Sequence, residues 1–180
     1  MARVPQIAGK ADVPEADQYV VDQVMEVFGR VRGPFSILLH SPRLAERLLP
    51  MVPFNRDMTV VEAPLRLVGI LATVREKDAN YVWAAQAAAA RTAGLAEATI
   101  DVLRAKGDAG ALPAEQRDVA TYARQLALTN RVDQSLFDTL QKRHGTKWLV
   151  ELTAIISFYG ALSGVVNAFD VPAPDGGDRF

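Results

Sequence analysis

Apolar residues recur at helical spacing along most of this chain, and the breaks between the periodic runs are sharp. Tyr19, Val20, Val24, Val27 and Phe28 share one face of a predicted first helix, which the segment from Gly29 to Pro34 ends. Phe35 to Leu39 predicts a short turn. Ser41-Pro42 then opens a helix running to about Met51, because serine can cap free N–H groups and proline has none to lose at the first helical position. Pro50 and Pro53 break that pattern. Thr59 and Glu62 have the spacing of a capping box, but Pro64 is tolerated only near a first turn, so the next helix is placed from about Ala63.

Leu65 to Arg104 is the stretch around which the rest is arranged. It reads as a long apolar helix, a break near Lys77 and Asp78, an alanine-dense helix, a stop at Gly94 and a third helix. Beyond it, Gly107 to Leu112 is a loop, and Pro113 opens a helix with Val119, Ala120, Ala123, Leu126 and Ala127 on one face. Asp133 caps a further helix whose inner side carries Leu136, Phe137 and Leu140, and Gly145 follows its end. Thr146 begins the last helix. Leu149 to Phe169 is apolar for long enough to span a membrane, but Glu151, Ser157, Ser163 and Asn167 interrupt it and neither flank is basic. A buried core helix is the expectation, with Gly160 and Gly164 letting a neighbour approach. No run alternates with the period of a strand, so the fold class is all-α.

Composition narrows the picture. A length of 180 residues suits one domain, here residues 16–170, with a loose arm over 1–15 and an extended tail over 171–180. Lys and Arg number 20 against 21 Asp and Glu, so no basic excess points to nucleic acid as a partner. The polar, proline-containing start has no signal-like apolar core, and the expected address is cytoplasmic, with no membrane partner. Cysteine is absent, which removes disulfides, thiolate nucleophiles and thiolate metal sites. With two isolated histidines and no paired acidic motif, no metal site is expected.

Several blocks together, GPFSILLHSPRLAERL, ATVREKDANYVW with AAQAAAARTAGLAEATID, ALPAEQRDVATYARQL and VELTAIISFYGALSGVVNAFDVPAPDG, resemble the carboxymuconolactone decarboxylase and alkylhydroperoxidase D-like superfamily. That resemblance implies an alkylhydroperoxidase D-like helical bundle, assembled as a trimer or hexamer. An apolar content of 49% and the alanines from Ala84 to Ala90 fit a surface shared with another copy, or alternatively a fully internal helix. Redox members carry a Glu, eleven residues, a Cys-x-x-Cys pair and a His four positions later. The resemblance puts Leu67 at the Glu position, Ala79 and Val82 at the Cys positions and Gln86 at the His position. Every one of those groups is replaced, so thiol peroxidase chemistry is excluded and the usual proton relay is gone.

Decarboxylating members do not need the cysteines. The resemblance therefore implies a cofactor-free lyase acting on a small carboxylate or lactone, with a binding or structural oligomer that has lost catalysis as the alternative. The candidate catalytic residues are His40, Arg75 and Gln86; Leu67, Glu76, Ala79, Asn80, Tyr81, Val82, Trp83 and Asn167 are the candidate pocket residues. Each has a plainer role open to it. His40 either titrates in a site or bonds a loop carbonyl, and Gln86 either meets a ligand or bonds another helix. Tyr81 and Trp83 serve recognition or packing, Arg75 and Glu76 a substrate or a helix end, and Asn167 a site or an interhelical bond. His144, beside Lys142 and Arg143 at a helix end, is read as structural.

Overall fold

The computed structural model describes residues 2–180, and among them every regular element is helical. In order these are α1 (Gln18–Phe28), α2 (Pro34–Leu38), α3 (Pro42–Leu48), α4 (Met51–Pro53), α5 (Ala63–Glu76), α6 (Asn80–Thr92), α7 (Glu97–Arg104), α8 (Ala114–Thr129), α9 (Gln134–His144) and α10 (Thr146–Ala168). The all-α expectation holds. α1 ends at Gly29 and α5 begins at Ala63 with Pro64 in its first turn, as the pattern predicts.

Two local readings change. Pro50 and Pro53 do not end the helical path: α4 follows directly on α3, and a wider π-turn over Phe54–Met58 continues it. Proline costs little at the start of a short new turn, where no carbonyl awaits its missing N–H. Thr59 and Glu62 form no capping box. The Thr59 hydroxyl donates to Glu151 at 2.7 Å and the Glu62 carboxylate accepts from the Trp148 indole at 2.8 Å, so both side chains tie the entry of α5 to α10.

α5 is the hub. Its residues Leu67 to Val74 are buried without a break, and it packs against α6, α7, α8 and α10. A helix apolar all round has no solvent face to keep polar, which is why this stretch carries so few charges. A second apolar cluster joins α1, α2 and α3 to Phe158 and Leu162 on α10. α10 is long and apolar enough to cross a membrane, and it lies along α5, α9, α2, α6 and α8. Its close approach to α5 does not use the glycines expected. A side chain at Gly164 would meet nothing, and one at Gly160 would make an ordinary contact with Thr73. The tight crossing is at Gly69 on α5 instead.

Both termini are docked rather than loose. The Ile7 amide donates to the Ser36 carbonyl, the Arg3 amide to that of Phe169, and Ile7 and Val13 are buried against α1 and α2. The tail folds back over α6 and α7. Asp178 accepts from Arg104 at 2.8 Å, from Arg91 at 2.6 Å and from the Trp83 indole at 3.3 Å. Phe180 meets Trp83 edge-on at 5.7 Å and lies under the Arg75 guanidinium at 3.9 Å. Proline, glycine and aspartate favour an extended chain but say nothing of partners, so periodicity could not reveal this contact.

Candidate functional site

A cavity of about 680 Å³ opens between α5, α6, the π-turn and the C-terminal part of α10. That size is ordinary for a small-molecule site. Leu67, Val82 and Gln86 line it, so three of the four positions at which the resemblance expects redox groups do share one hollow. Ala79 does not: it ends the turn before α6, fully buried against the core. The wall is apolar where Leu67, Ile70 and Val82 face it. It is alanine-rich toward the opening, where Ala85, Ala88 and Ala89 are exposed.

Polar groups converge on the rest of the wall. Arg66, Arg56, Tyr159, Gln86 and Asn55 all line it, and no aspartate or glutamate does among the described residues. Arg66 lies in the first turns of α5, half-buried, and its guanidinium makes one long protein hydrogen bond, 3.4 Å to the Val61 carbonyl. Burial lowers its proton affinity, with Tyr159 and Asp57 acting the other way. Burial likewise pushes the Tyr159 hydroxyl above its usual range, against the opposing pull of Arg66, the Gln86 amide and Arg56. Arg66, Gln86 and Arg56 therefore all act on Tyr159. Tyr159 keeps its proton at neutral pH and is a donor there.

Tyr81 marks the rim. Its ring covers Gly33, where φ is +58° and any β-carbon would collide with the ring, so only glycine can stand beneath it. Burial raises its hydroxyl, with Arg32 and Arg30 opposing, and those two exposed arginines complete a cationic mouth.

The remaining candidates are held elsewhere. His40 is exposed in the turn after α2, and its Nε2 donates to the Pro5 carbonyl at 2.8 Å, so it pins the N-terminal arm and lines no part of the cavity. Arg75 donates to the Arg104 carbonyl at 2.6 Å, pairs with Asp78 and stacks on Phe180. Glu76 pairs with Arg124 at 3.5 Å and Lys106 at 3.7 Å. Trp83 is fully buried and anchors the tail. Asn167 donates to the Lys77 carbonyl at 2.7 Å, and with Asn80 and Tyr81 it lines a separate shallow hollow of about 310 Å³. The physical reason for the split is the break at Lys77–Ala79: it turns the chain so that residues before and after it, adjacent in sequence, serve helix ends and the tail rather than the cavity. His144 stacks on Trp148 at 3.9 Å and is structural, as expected.

Arg66, Arg56, Asn55 and Tyr159 are functional candidates that the sequence reading passed over. Two carried a signal: Arg66 is a lone cation within an apolar run, and Tyr159 one of few hydroxyls in an apolar helix.

The tail closes one edge of the opening through Pro174 and Gly177. Burial alone would raise the Asp178 carboxyl, but hydrogen bonds from Arg104, Arg91 and Trp83 outweigh it and hold the group below its usual value. A carboxyl depressed in the folded state adds stability that is complete above the unfolded pKa, about 3.9, and is lost as pH falls through the lower folded value. Tail docking is therefore expected to be unchanged from pH 8 to 5 and to loosen below about pH 4. The fluorescence of Trp83, read in a Trp148→Phe background because Trp148 also emits and stacks on His144, and followed against a Phe180→Ala control, reports it. A transition centred near neutrality would contradict this assignment.

No protein-family model and no curated protein matches the chain by sequence. Its fold does match solved structures. The crystal structure of an alkylhydroperoxidase AhpD core, an uncharacterized peroxidase-related protein from Ralstonia eutropha, superposes with a TM-score of 0.76 at 19% identity, covering 97% of this chain and 93% of that one. The debrominase Bmp8, solved as a Cys-to-Ala variant in complex with 2,3,4-tribromopyrrole, gives 0.73 at 14% identity, covering 97% and 94%. The chain thus has the alkylhydroperoxidase D-like fold, here without any cysteine.

Proposed function

We propose that the cavity binds a small organic acid with an apolar body. The observation that supports this reading is Arg66: a half-buried guanidinium with one long protein hydrogen bond, in a hollow that no carboxylate lines. Burying a cation is costly unless an anion meets it, and an arginine fork suits a carboxylate. Arg56 adds charge, although Asp57 shares it at 2.8 Å. Leu67, Ile70 and Val82 suit the apolar body of the acid.

Tyr159 favours a second reading, that of a cofactor-free decarboxylase-like lyase. One carboxylate or lactone carbonyl would be held by Arg66 while a second carboxylate sat against the aliphatic wall, where its poor solvation favours release of neutral carbon dioxide and transfer of its charge to the carbon skeleton. The electron pair of the broken carbon–carbon bond would stay on the carbon that bore the carboxylate and delocalise into the group held by Arg66, the Tyr159 hydroxyl would deliver the proton to that carbon, and solvent water would return a proton to the phenolate. The acid role thus moves from His40 to Tyr159, and Gln86 is a hydrogen-bonding wall residue.

Calorimetric titration at pH 7 with benzoate and with 4-carboxymuconolactone tests both readings. Binding of either acid is the expected result, and no binding of either would overturn the first reading. Release of carbon dioxide from the lactone acid, lowered by roughly a hundredfold or more in Tyr159→Phe while its affinity stays within about threefold, is expected on the second. Binding without turnover would leave a ligand-binding protein and reject the lyase.

A further inference from the structure

The π-turn over Phe54–Met58 places one side chain in the cavity wall that no structural role explains. Asn55 is 1% exposed, and neither its amide nitrogen nor its oxygen has a hydrogen-bond partner. A buried primary amide without partners is costly, and proteins keep few of them. Its neighbours on the turn do not share the problem, since Arg56 and Asp57 pair with each other and are exposed. The wider turn itself is a second observation: it interrupts the ordinary helical path just where this side chain enters the wall, and such turns recur at functional sites.

We propose that Asn55 is a ligand-reading residue, and that the acid taken by this cavity carries, besides its carboxylate, a neutral group able to donate and accept a hydrogen bond at once: a hydroxyl, a carboxamide or a lactam edge. The inference rests on the acid-binding reading of the cavity. Arg66 supplies the charge that recognises any acid of suitable size. Asn55 has one N–H pair to give and one oxygen to receive with, so it distinguishes acids by a neutral substituent that the arginines do not sense. A site whose buried polar group is satisfied only by the right ligand rejects the analogue lacking that group, because the amide is then left dry and unpaired.

The test compares para-hydroxybenzoate with para-methylbenzoate, which match in shape and differ in the neutral group, with benzoate as reference, by calorimetry on the full chain. The wild type should favour the hydroxy acid over the methyl acid by roughly tenfold or more. Asn55→Leu should lose or reverse that preference, read as the ratio of the two affinities so that any general change in affinity cancels. In the unliganded protein the same substitution should raise the melting temperature by a few degrees, because an unpaired buried amide is replaced by a hydrocarbon with the same number and branching of heavy atoms. A residue kept for structure would behave oppositely and melt earlier. Asn55→Asp should weaken all three acids by charge repulsion. If benzoate binds but wild type and Asn55→Leu rank the two substituted acids alike, this inference fails and the acid-binding reading survives. If no acid binds, both fall together.

Discussion

Arg66→Met is expected to weaken the binding of benzoate by roughly a hundredfold while leaving the protein folded. A charge-assisted bond to a carboxylate in a partly buried site is worth about 1.5–3 kcal/mol, and each 1.4 kcal/mol is tenfold in affinity. The fold does not depend on this guanidinium: its one long hydrogen bond to Val61 contributes little, and burial works against its charge. Methionine keeps an unbranched stem of similar length, so the melting temperature should hold or rise. Arg66→Lys separates charge from shape. Lysine keeps the positive charge but offers no planar fork, so partial recovery, about tenfold below wild type, is the expected intermediate. Calorimetry on the three proteins decides the matter. Equal affinities across them would move the acid to the exposed arginines of the mouth and remove Arg66 from the site.

The second large effect is on stability. Gly69→Val should destabilise the fold by about 3 kcal/mol, lowering the melting temperature by roughly 8 °C for a domain of this length. A β-carbon at Gly69 would stand 3.0 Å from Ile156 Cγ2, 3.2 Å from Leu152 Cδ1 and 3.4 Å from Val119 Cγ1. Those contacts come from two different helices, α10 and α8, so no single shift relieves them all. Alanine is the instructive control. It gains about 1 kcal/mol of helix propensity over glycine and loses a comparable amount to crowding, so its effect should be near zero. Valine adds two further carbons where there is no room for one. Thermal unfolding of the three proteins tests this; a valine variant melting within a degree of wild type would mean that α5 and α10 slide past one another at little cost.

Much of the architecture was legible along the chain because helix periodicity and its stops are local properties. The hub helix could be placed from Ala63 because Pro64 allows few alternatives, and the alanine-dense α6 could be bounded by the Lys77–Asp78 break and Gly94. The site was legible in part. Leu67, Val82 and Gln86 do gather at one hollow, since two of them lie four residues apart on one helix and the third on its neighbour. A bond from His40 to a loop carbonyl was one of the two roles open to it, but which carbonyl was not readable, because Pro5 lies 35 positions away. The same holds for Trp83 and Asp178, 95 positions apart.

What the amino-acid order determined by itself was the helical class, the order of the helices, the lack of any thiol to perform redox chemistry and the presence of a hub buried on all sides. Those follow from spacing and residue type, which act within a turn or two of backbone. Only the tertiary structure decided which polar groups meet: it set Arg66, Tyr159 and Asn55 around one space from three separate elements and sent Arg75, Glu76 and His40 to fasten ends. Burial and electrostatic contact depend on distance through space, and a chain that crosses itself ten or more residues later leaves no periodic trace of where its charges will be matched.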